Sequence, residues 1–218
     1  MIEVELKARL GDREAVQTRV AAFARYSGPV DKHDSYWHEP DWRRARGAKG
    51  FRVRDEGGAS VVTFKTKRVE AGVEVNLERE FGVSDPDIFV EFCRRLGCEP
   101  FYTKRKRGSR YVFDPPSPAV GPPAGGFPAE PTGSRTGTRS GESAAAYSRP
   151  ATIEIIEVEG LGDFIEIEIL LEAEEPAALA GAQAELRGLL ERAGVGASEI
   201  ESRFYSELLI AAGKIPPA

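Results

Sequence analysis

Apolar and polar residues alternate along most of the chain with a period of two. That is the spacing of a strand whose two faces meet different surroundings. In residues 2–9, Ile2, Val4 and Leu6 share one face and Glu3, Glu5 and Lys7 the other. Residues 51–54 form a short strand, 55–58 a turn and 60–67 its hairpin partner. Residues 73–81, 102–107, 109–113, 152–159 and 164–171 read as further strands, the last two joined by a Gly160-Leu161-Gly162-Asp163 turn. Helical spacing interrupts this pattern four times. Residues 12–26 carry Val16, Val20 and Phe23 at helical intervals. A second helix opens at Ser84-Asp85-Pro86, buries Phe89, Phe92 and Leu96, and stops at Gly97. Residues 176–193 turn Leu179, Leu186, Leu189 and Leu190 inward. Residues 198–212 form the last helix, with Ser198 as N-cap and Glu201 completing a capping box. The pattern predicts an α+β fold: a mainly antiparallel sheet with helices packed on it.

Residues 114–150 break both periodicities. Of these 37 residues, 8 are Pro and 6 are Gly, too few apolar positions to offset the entropy of ordering them. They read as a disordered loop insertion between neighbouring strands of a single domain, 1–218. Closure entropy grows only logarithmically with loop length, so the insertion costs the fold little.

The chain has 218 residues and 2 cysteines, which excludes a disulfide-stapled scaffold. Cys93 and Cys98 are read as free, structural thiols. No apolar run approaches the ~20 residues that cross a bilayer, and residues 1–5 carry no export signal. The expected location is cytoplasmic, with no membrane partner. The net charge is −5, which argues against a dedicated nucleic-acid binder.

The polar faces carry the chemistry. Glu3, Glu5 and Lys7 share a strand face, as do Arg52 with Arg54, Thr63 with Lys65 and Lys67, Glu74 with Asn76, Glu78 and Glu80, and Glu166 with Glu168. Each face is dominated by one sign of charge, whereas a solubility surface intersperses the signs. Taken alone, any one of them reads as a solvated strand face. Together, with helices over the apolar sides, they line the hollow of a curved or closed sheet. Clustered carboxylates suit a hard divalent cation, and clustered Arg and Lys suit phosphate. A site with both matches a metal–polyphosphate complex.

Glu3-Val4-Glu5-Leu6-Lys7 resembles the E-x-E-x-K signature of the CYTH superfamily, the triphosphate tunnel metalloenzymes. Further blocks follow in that family's order: Asp34-Ser35-Tyr36-Trp37, Phe51-Arg52-Val53-Arg54, Thr63-Phe64-Lys65, Glu78-Arg79-Glu80, residues 160–168 and residues 202–209. The resemblance implies an eight-stranded antiparallel β-barrel, or tunnel, with a charged interior and helices packed outside. It implies that Glu3, Glu5, Glu78, Glu80, Glu166 and Glu168 serve Mg²⁺ or Mn²⁺ as ligands or support them. It implies that Lys7, Arg52, Arg54 and Lys65 hold the triphosphate, with Glu5, Lys7, Arg54 and Lys65 as the catalytic set. A homodimer is compatible with it.

Three positions depart from the family pattern. Asn76 stands where an Arg is usual, and Ile156 where an Asp is usual, with Glu154 and Glu157 nearby. In Thr103-Lys104-Arg105-Lys106-Arg107-Gly108, spacing assigns the phosphate-binding Lys to Lys106 and puts Gly108 at an Arg position. A bulge at Gly108 would instead turn Arg105 and Arg107 inward, so Arg107 is a second candidate. The same run also reads as a solvated or RNA-touching basic patch. Trp37 and Trp42 are candidates to stack a base or to pack. His33 and His38 have no zinc spacing, and Tyr205 covers a tunnel mouth or packs. The first functional expectation is a class IV adenylyl cyclase type, turning ATP into cyclic AMP and pyrophosphate. The alternatives are a tripolyphosphatase or nucleoside or thiamine triphosphatase, and a non-catalytic polyphosphate or nucleotide sensor.

Overall fold

The computed structural model describes residues 1–40, 50–115 and 147–216. Its strands are β1 (Ile2–Arg9), β2 (Arg25–His38), β3 (Gly50–Glu56), β4 (Ala59–Glu70), β5 (Val73–Val83), β6 (Glu99–Phe113), β7 (Ala151–Val158) and β8 (Gly162–Leu171). Its helices are α1 (Arg13–Ala21), α2 (Pro86–Arg95), α3 (Pro176–Arg192) and α4 (Tyr205–Ala211). The strands close into one antiparallel barrel in the order β1-β5-β4-β3-β2-β6-β7-β8. This is the expected α+β barrel with helices outside. The strands flanking the Pro/Gly-rich insertion, β6 and β7, are hydrogen-bonded neighbours. Residues 116–146 of that insertion, and Trp42, lie outside the described residues.

The main core lies between the barrel wall and its helices. The outward faces of β1, β7 and β8 (Val4, Leu6, Ile153, Ile155, Ile165, Ile167) pack against Val16 and Val20 of α1 and Leu186, Leu189 and Leu190 of α3. Hydrophobic stabilisation therefore comes largely from outside the barrel, which leaves most of the interior to charge. A fully buried Leu or Ile contributes roughly 1.5–3 kcal/mol, and nine of these eleven side chains are completely enclosed.

Four sequence expectations change. The first is β2, which the pattern missed: Gly28 and Pro29 interrupt its start, and Lys32 and Asp34 on its inward face are charged. It pairs with β3 and β6 all the same. Its backbone takes residues 25 and 26 from the expected first helix, which ends at Ala21 behind its Asp12 cap. Second, residues 102–107 and 109–113 are one strand, β6, with β7 in unbroken register through Gly108. A Cβ at Gly108 would come within 2.0 Å of the Ile155 carbonyl, so the backbones meet too closely there for any side chain.

Third, α2 buries its Phe89, Val90 and Cys93 side over Trp37, Val53 and Val62. Phe92 and Leu96 are 56% and 58% exposed, beside Ile88 at 66%. Both sides of α2 carry apolar residues at intervals of four, so periodicity could not choose between them. Trp37 packs on Phe51, in a stacked pair. Fourth, the last helix starts at Tyr205 rather than near Ser198. Ile200 bridges Ala8, and the Glu201 N–H donates to the Lys7 carbonyl at 2.9 Å. That edge contact keeps the segment extended. The Glu201 carboxylate takes hydrogen bonds from Arg9 and Arg203 instead of capping a helix. Glu207 serves α4, accepting from the Phe204 N–H at 2.6 Å.

Candidate active site

Strand alternation turns one face of all eight strands into the barrel. The resulting cavity, about 410 Å³, is lined by Glu3 and Glu5 of β1, Lys32 of β2, Arg52 and Arg54 of β3, Lys65 of β4, and Glu78 and Glu80 of β5. Lys106 of β6, Glu154 of β7, and Glu166 and Glu168 of β8 complete the charged wall, with Met1, Thr152 and Leu170 also lining it. The volume falls in the range of small-molecule sites. Every carboxylate named from the sequence lines this space, as do four of the six named cations. Lys7 has the same inward parity but is paired with Glu74 at 2.5 Å and does not line the cavity.

Arg107 does not belong to the site. Its side chain is 57% exposed and lies 3.9 Å from Asp31 on the outer surface. The regular register from Lys106 to Gly108 alternates Lys106 in and Arg107 out. Arg105 is likewise outside, in a two-pronged pair with Asp31 at 2.8 Å. Lys106 faces the cavity, and the bulge does not occur.

One end of the tunnel is blocked. Val30, Ile156, Val158, Phe164, Tyr205 and Leu208 form an apolar plug. Four of these positions, on β2, β7 and β8, share the inward parity of the charged residues, and α4 supplies Tyr205 and Leu208. The two family departures meet here, because Gly108 and Ile156 face each other across β6 and β7. Where the family pattern has an Arg and an Asp, this chain has neither charge, so no buried ion is stranded. Asn76 adapts differently: its Nδ2 donates to Glu3 Oε1 at 3.1 Å.

The charges inside are mostly matched. Lys106 donates to both Glu166 oxygens at 2.6 and 2.7 Å, and Lys32 to both Glu154 oxygens at 2.6 and 2.8 Å. Arg110 adds Glu154 at 2.9 Å and Glu56 at 2.5 Å. Lys65 pairs with Glu78 and, at 3.4 Å, with Glu3. Glu80 accepts from Thr63 at 2.6 Å and Arg52 at 3.4 Å. Burial alone would discharge these groups. For Lys106 the opposing influence is Glu166, and for Lys65 it is Glu3 and Glu78; both ammonium groups are held above their ordinary range. Burial would likewise raise the Glu166 carboxyl, but Lys106 and Lys104 pull it well below its ordinary value.

Asp34 organises one wall. It is fully buried and accepts from Arg54 Nε at 2.6 Å and Nη2 at 2.9 Å, with Lys104 at 3.4 Å. Burial opposes its charge, but Lys104 and Arg54 keep it ionised. Asp34, Lys32, Lys104, Glu74 and Glu154 were not named as site residues from the sequence. Parity along β2 and β6 would have marked Lys32, Asp34 and Lys104, had β2 been recognised as a strand.

Glu5 and Glu168 are the exceptions. They face each other across β1 and β8, and among the described residues no cation or donor is bonded to either. Burial, then Glu166, Glu74 and Glu3, push the Glu5 carboxyl up to about 8. Burial, then Glu3 and Glu5, push Glu168 up to about 8 as well. Two uncommitted carboxylates with Glu3 beside them suit a hard divalent cation, which would displace their protons. Among the described residues no three acidic, His or Cys side chains already converge as a metal cage. The interleaved ammonium groups hold the other carboxylates away.

A pH dependence follows. A carboxyl whose folded pKa is raised adds stability that is complete below the unfolded value near 4.5 and is lost as pH rises through about 8. Glu168→Gln cannot ionise and escapes that loss. Metal-free Glu168→Gln is therefore expected to gain in Tm over wild type progressively from about pH 5 to pH 8.5. A difference that stays constant across that range would show that Glu168 has a counter-charge after all.

The CYTH domain family model matches residues 1–205. The chain belongs to the CYTH family. Enzymes of this family act on triphosphates and are generally metal-dependent. No curated protein matches the sequence. Among solved structures, the PH1819 protein of Pyrococcus horikoshii is 25% identical, with a TM-score of 0.67, covering 96% of this chain and 98% of that one. The PH1012 protein of the same organism is 22% identical, with a TM-score of 0.66, covering 94% and 98%. HpAC1 from Hippeastrum, an adenylyl cyclase candidate described as having a dominant triphosphatase activity, is 19% identical with a TM-score of 0.54, covering 99% and 98%. The last two establish likeness of fold. Among the described residues, no helix is long and apolar enough to cross a membrane.

Proposed function

We propose that this CYTH protein is a divalent-metal-dependent triphosphatase. The observation that carries the reading is the pair of uncommitted carboxylates, Glu5 and Glu168, in a tunnel whose other walls present Arg52, Arg54, Lys65 and Lys106. Phosphoryl transfer needs positioning and charge neutralisation more than covalent help from the protein. Arg52 and Arg54 offer planar donors to non-bridging phosphate oxygens, and Lys65 and Lys106 offer point charges. Each cation is now satisfied by a carboxylate, so a triphosphate would exchange partners rather than meet bare charges. Glu5 and Glu168, assisted by Glu3, would hold Mg²⁺ or Mn²⁺. The ion, when bound, would neutralise phosphate oxygens and favour ionisation of a water. In hydrolysis the water oxygen bonds to the terminal phosphorus as the bond to the leaving diphosphate breaks. The lysines and arginines carry the charge that develops on that diphosphate.

Adenylyl cyclase activity is the second reading. The Gly160 to Glu168 hairpin favours it, since its sequence resembles the class IV branch. In that reaction the ribose 3′-oxygen of ATP attacks the α-phosphorus and pyrophosphate leaves. The deciding experiment supplies Mg²⁺ or Mn²⁺ with tripolyphosphate and, separately, with ATP. Orthophosphate without cyclic AMP is the expected result. Cyclic AMP with pyrophosphate would select the cyclase, and tight binding without turnover would select a sensor.

A further inference from the structure

Six large apolar side chains stand in water on one side of the molecule. Ile88, Phe92 and Leu96 recur at intervals of four along α2 and its C-cap, so they form one stripe on its outer face. They are 66%, 56% and 58% exposed. Phe64 of β4, with Leu77 and Phe81 of β5, is part of the barrel wall beside the helix, and these three are 43% to 47% exposed. Alternation turns them away from the cavity, because Lys65, Glu78 and Glu80 of the same strands line it. Phe81 meets Phe89 of α2 edge-on at 6.0 Å, which joins the stripe to the wall.

With about 100 Å² left in water by each, these side chains present on the order of 600 Å², the upper end of what a monomer exposes in one patch. The exposed Glu91, Arg95 and Arg79 extend its margin, towards the roughly 800 Å² that each partner buries in a stable complex. The charges say what fits. α2 is acidic at its start, with Asp85 and Asp87, and basic at its end, with Arg94 and Arg95. Two such helices laid antiparallel put each acidic end on a basic one, whereas parallel helices would put like on like. With Phe92 on the two-fold axis, Ile88 meets Leu96 of the partner subunit. Glu91 and Arg95, an exposed ion pair at 2.5 Å, run along one margin of the stripe. There they face Arg95 of the partner subunit and Glu91 of the partner subunit. A two-fold interface requires one patch complementary to itself, and this stripe is.

We propose that this face binds a second copy of the chain, with α2 antiparallel to its counterpart about an axis at Phe92 and the β4–β5 wall alongside. Burial of the stripe drives the contact, and the charged margin sets its orientation. Val53 and Val62, beneath α2, point outward from strands whose Arg52, Arg54 and Lys65 point into the cavity. The pairing is therefore on the back of the catalytic wall, and each subunit keeps its own tunnel. The proposal is independent of which reaction the tunnel performs.

Sedimentation velocity on the full chain tests this. Wild type should sediment as a dimer at micromolar concentration and dissociate on dilution. Glu91→Arg leaves two arginines on the margin and Arg95→Glu two glutamates, so in either variant like charges meet twice across the axis. Each should dimerise about ten- to a hundredfold more weakly than wild type. Mixed in equal amounts, the two variants should recover the dimer, because the arginines of one then meet the glutamates of the other. Phe92→Asp should stay monomeric, since it places a charge at the centre of the contact. These side chains are exposed, so circular dichroism of all three variants should match wild type. A monomeric wild type would mean that another segment of the chain or a different protein covers the face, and it overturns the proposal. So does a dimer indifferent to all three substitutions, or a mixture that pairs no better than its components.

Discussion

Glu5→Ala is expected to lower kcat/KM for the triphosphate by about a thousandfold or more, roughly 4 kcal/mol of transition-state stabilisation. Glu5 lines the cavity, partly buried beside Glu168, with no cation bonded to it among the described residues. Its carboxylate serves a bound metal better than it serves the empty fold. The same substitution removes a charge that burial opposes, so the variant should fold, and at pH 8 the metal-free form should melt no lower than wild type. Steady-state turnover with Mg²⁺, set beside a melting curve, separates the two effects. Arg107→Ala provides the contrast, because that side chain faces solvent on the outside of the barrel; its activity should stay within about twofold of wild type. Full turnover in Glu5→Ala would remove the metal assignment.

Asp34→Ala is expected to destabilise the protein by about 3–5 kcal/mol, the usual consequence of removing one partner from a buried ionic cluster. Asp34 is completely enclosed and holds Arg54 by two hydrogen bonds, with Lys104 beside it. Without it Arg54 and Lys104, in register on the strands either side of β2, are left on one wall with no acid between them. Denaturant unfolding should show the loss as a lower midpoint. Arg54 would also lose the contact that orients it, so KM for the triphosphate should rise. Asp34→Asn keeps an acceptor without the charge and should fall between alanine and wild type. An Asp34→Ala protein as stable as wild type would mean that solvent reaches Arg54 and Lys104 freely.

Much of this site was legible in the chain. Alternation alone put Glu3, Glu5, Arg52, Arg54, Lys65, Glu78, Glu80, Glu166 and Glu168 on the polar faces of their strands, and all nine line the cavity. The period of two converts directly into a side of the sheet, so it survives folding intact. Elements whose evidence was not periodic fared worse. β2 was missed because both its faces carry charge and its start contains Gly28 and Pro29. With it went Lys32 and Asp34, whose importance depends on being enclosed. The exposed side of α2 and the start of α4 were misjudged for a related reason: each is decided by what lies against it. Val53 and Val62 choose the buried side of α2, and the pairing of Ile200 with Ala8 delays α4.

The sequence by itself determined the sign of each tunnel wall, the helices that shield the apolar side and the family pattern with its three departures. Only the tertiary structure decided which charges answer which. Pairing across the barrel is a matter of register and closure, and these bring Lys7 to Glu74 and Lys106 to Glu166 across long stretches of chain. It also decided that Glu5 and Glu168 are left over, that Gly108 and Ile156 meet, and that Tyr205 seals one end. Local patterns report how a residue's side chain is directed along its own strand. A counter-charge comes from another strand, and only the closed barrel fixes the distance between them.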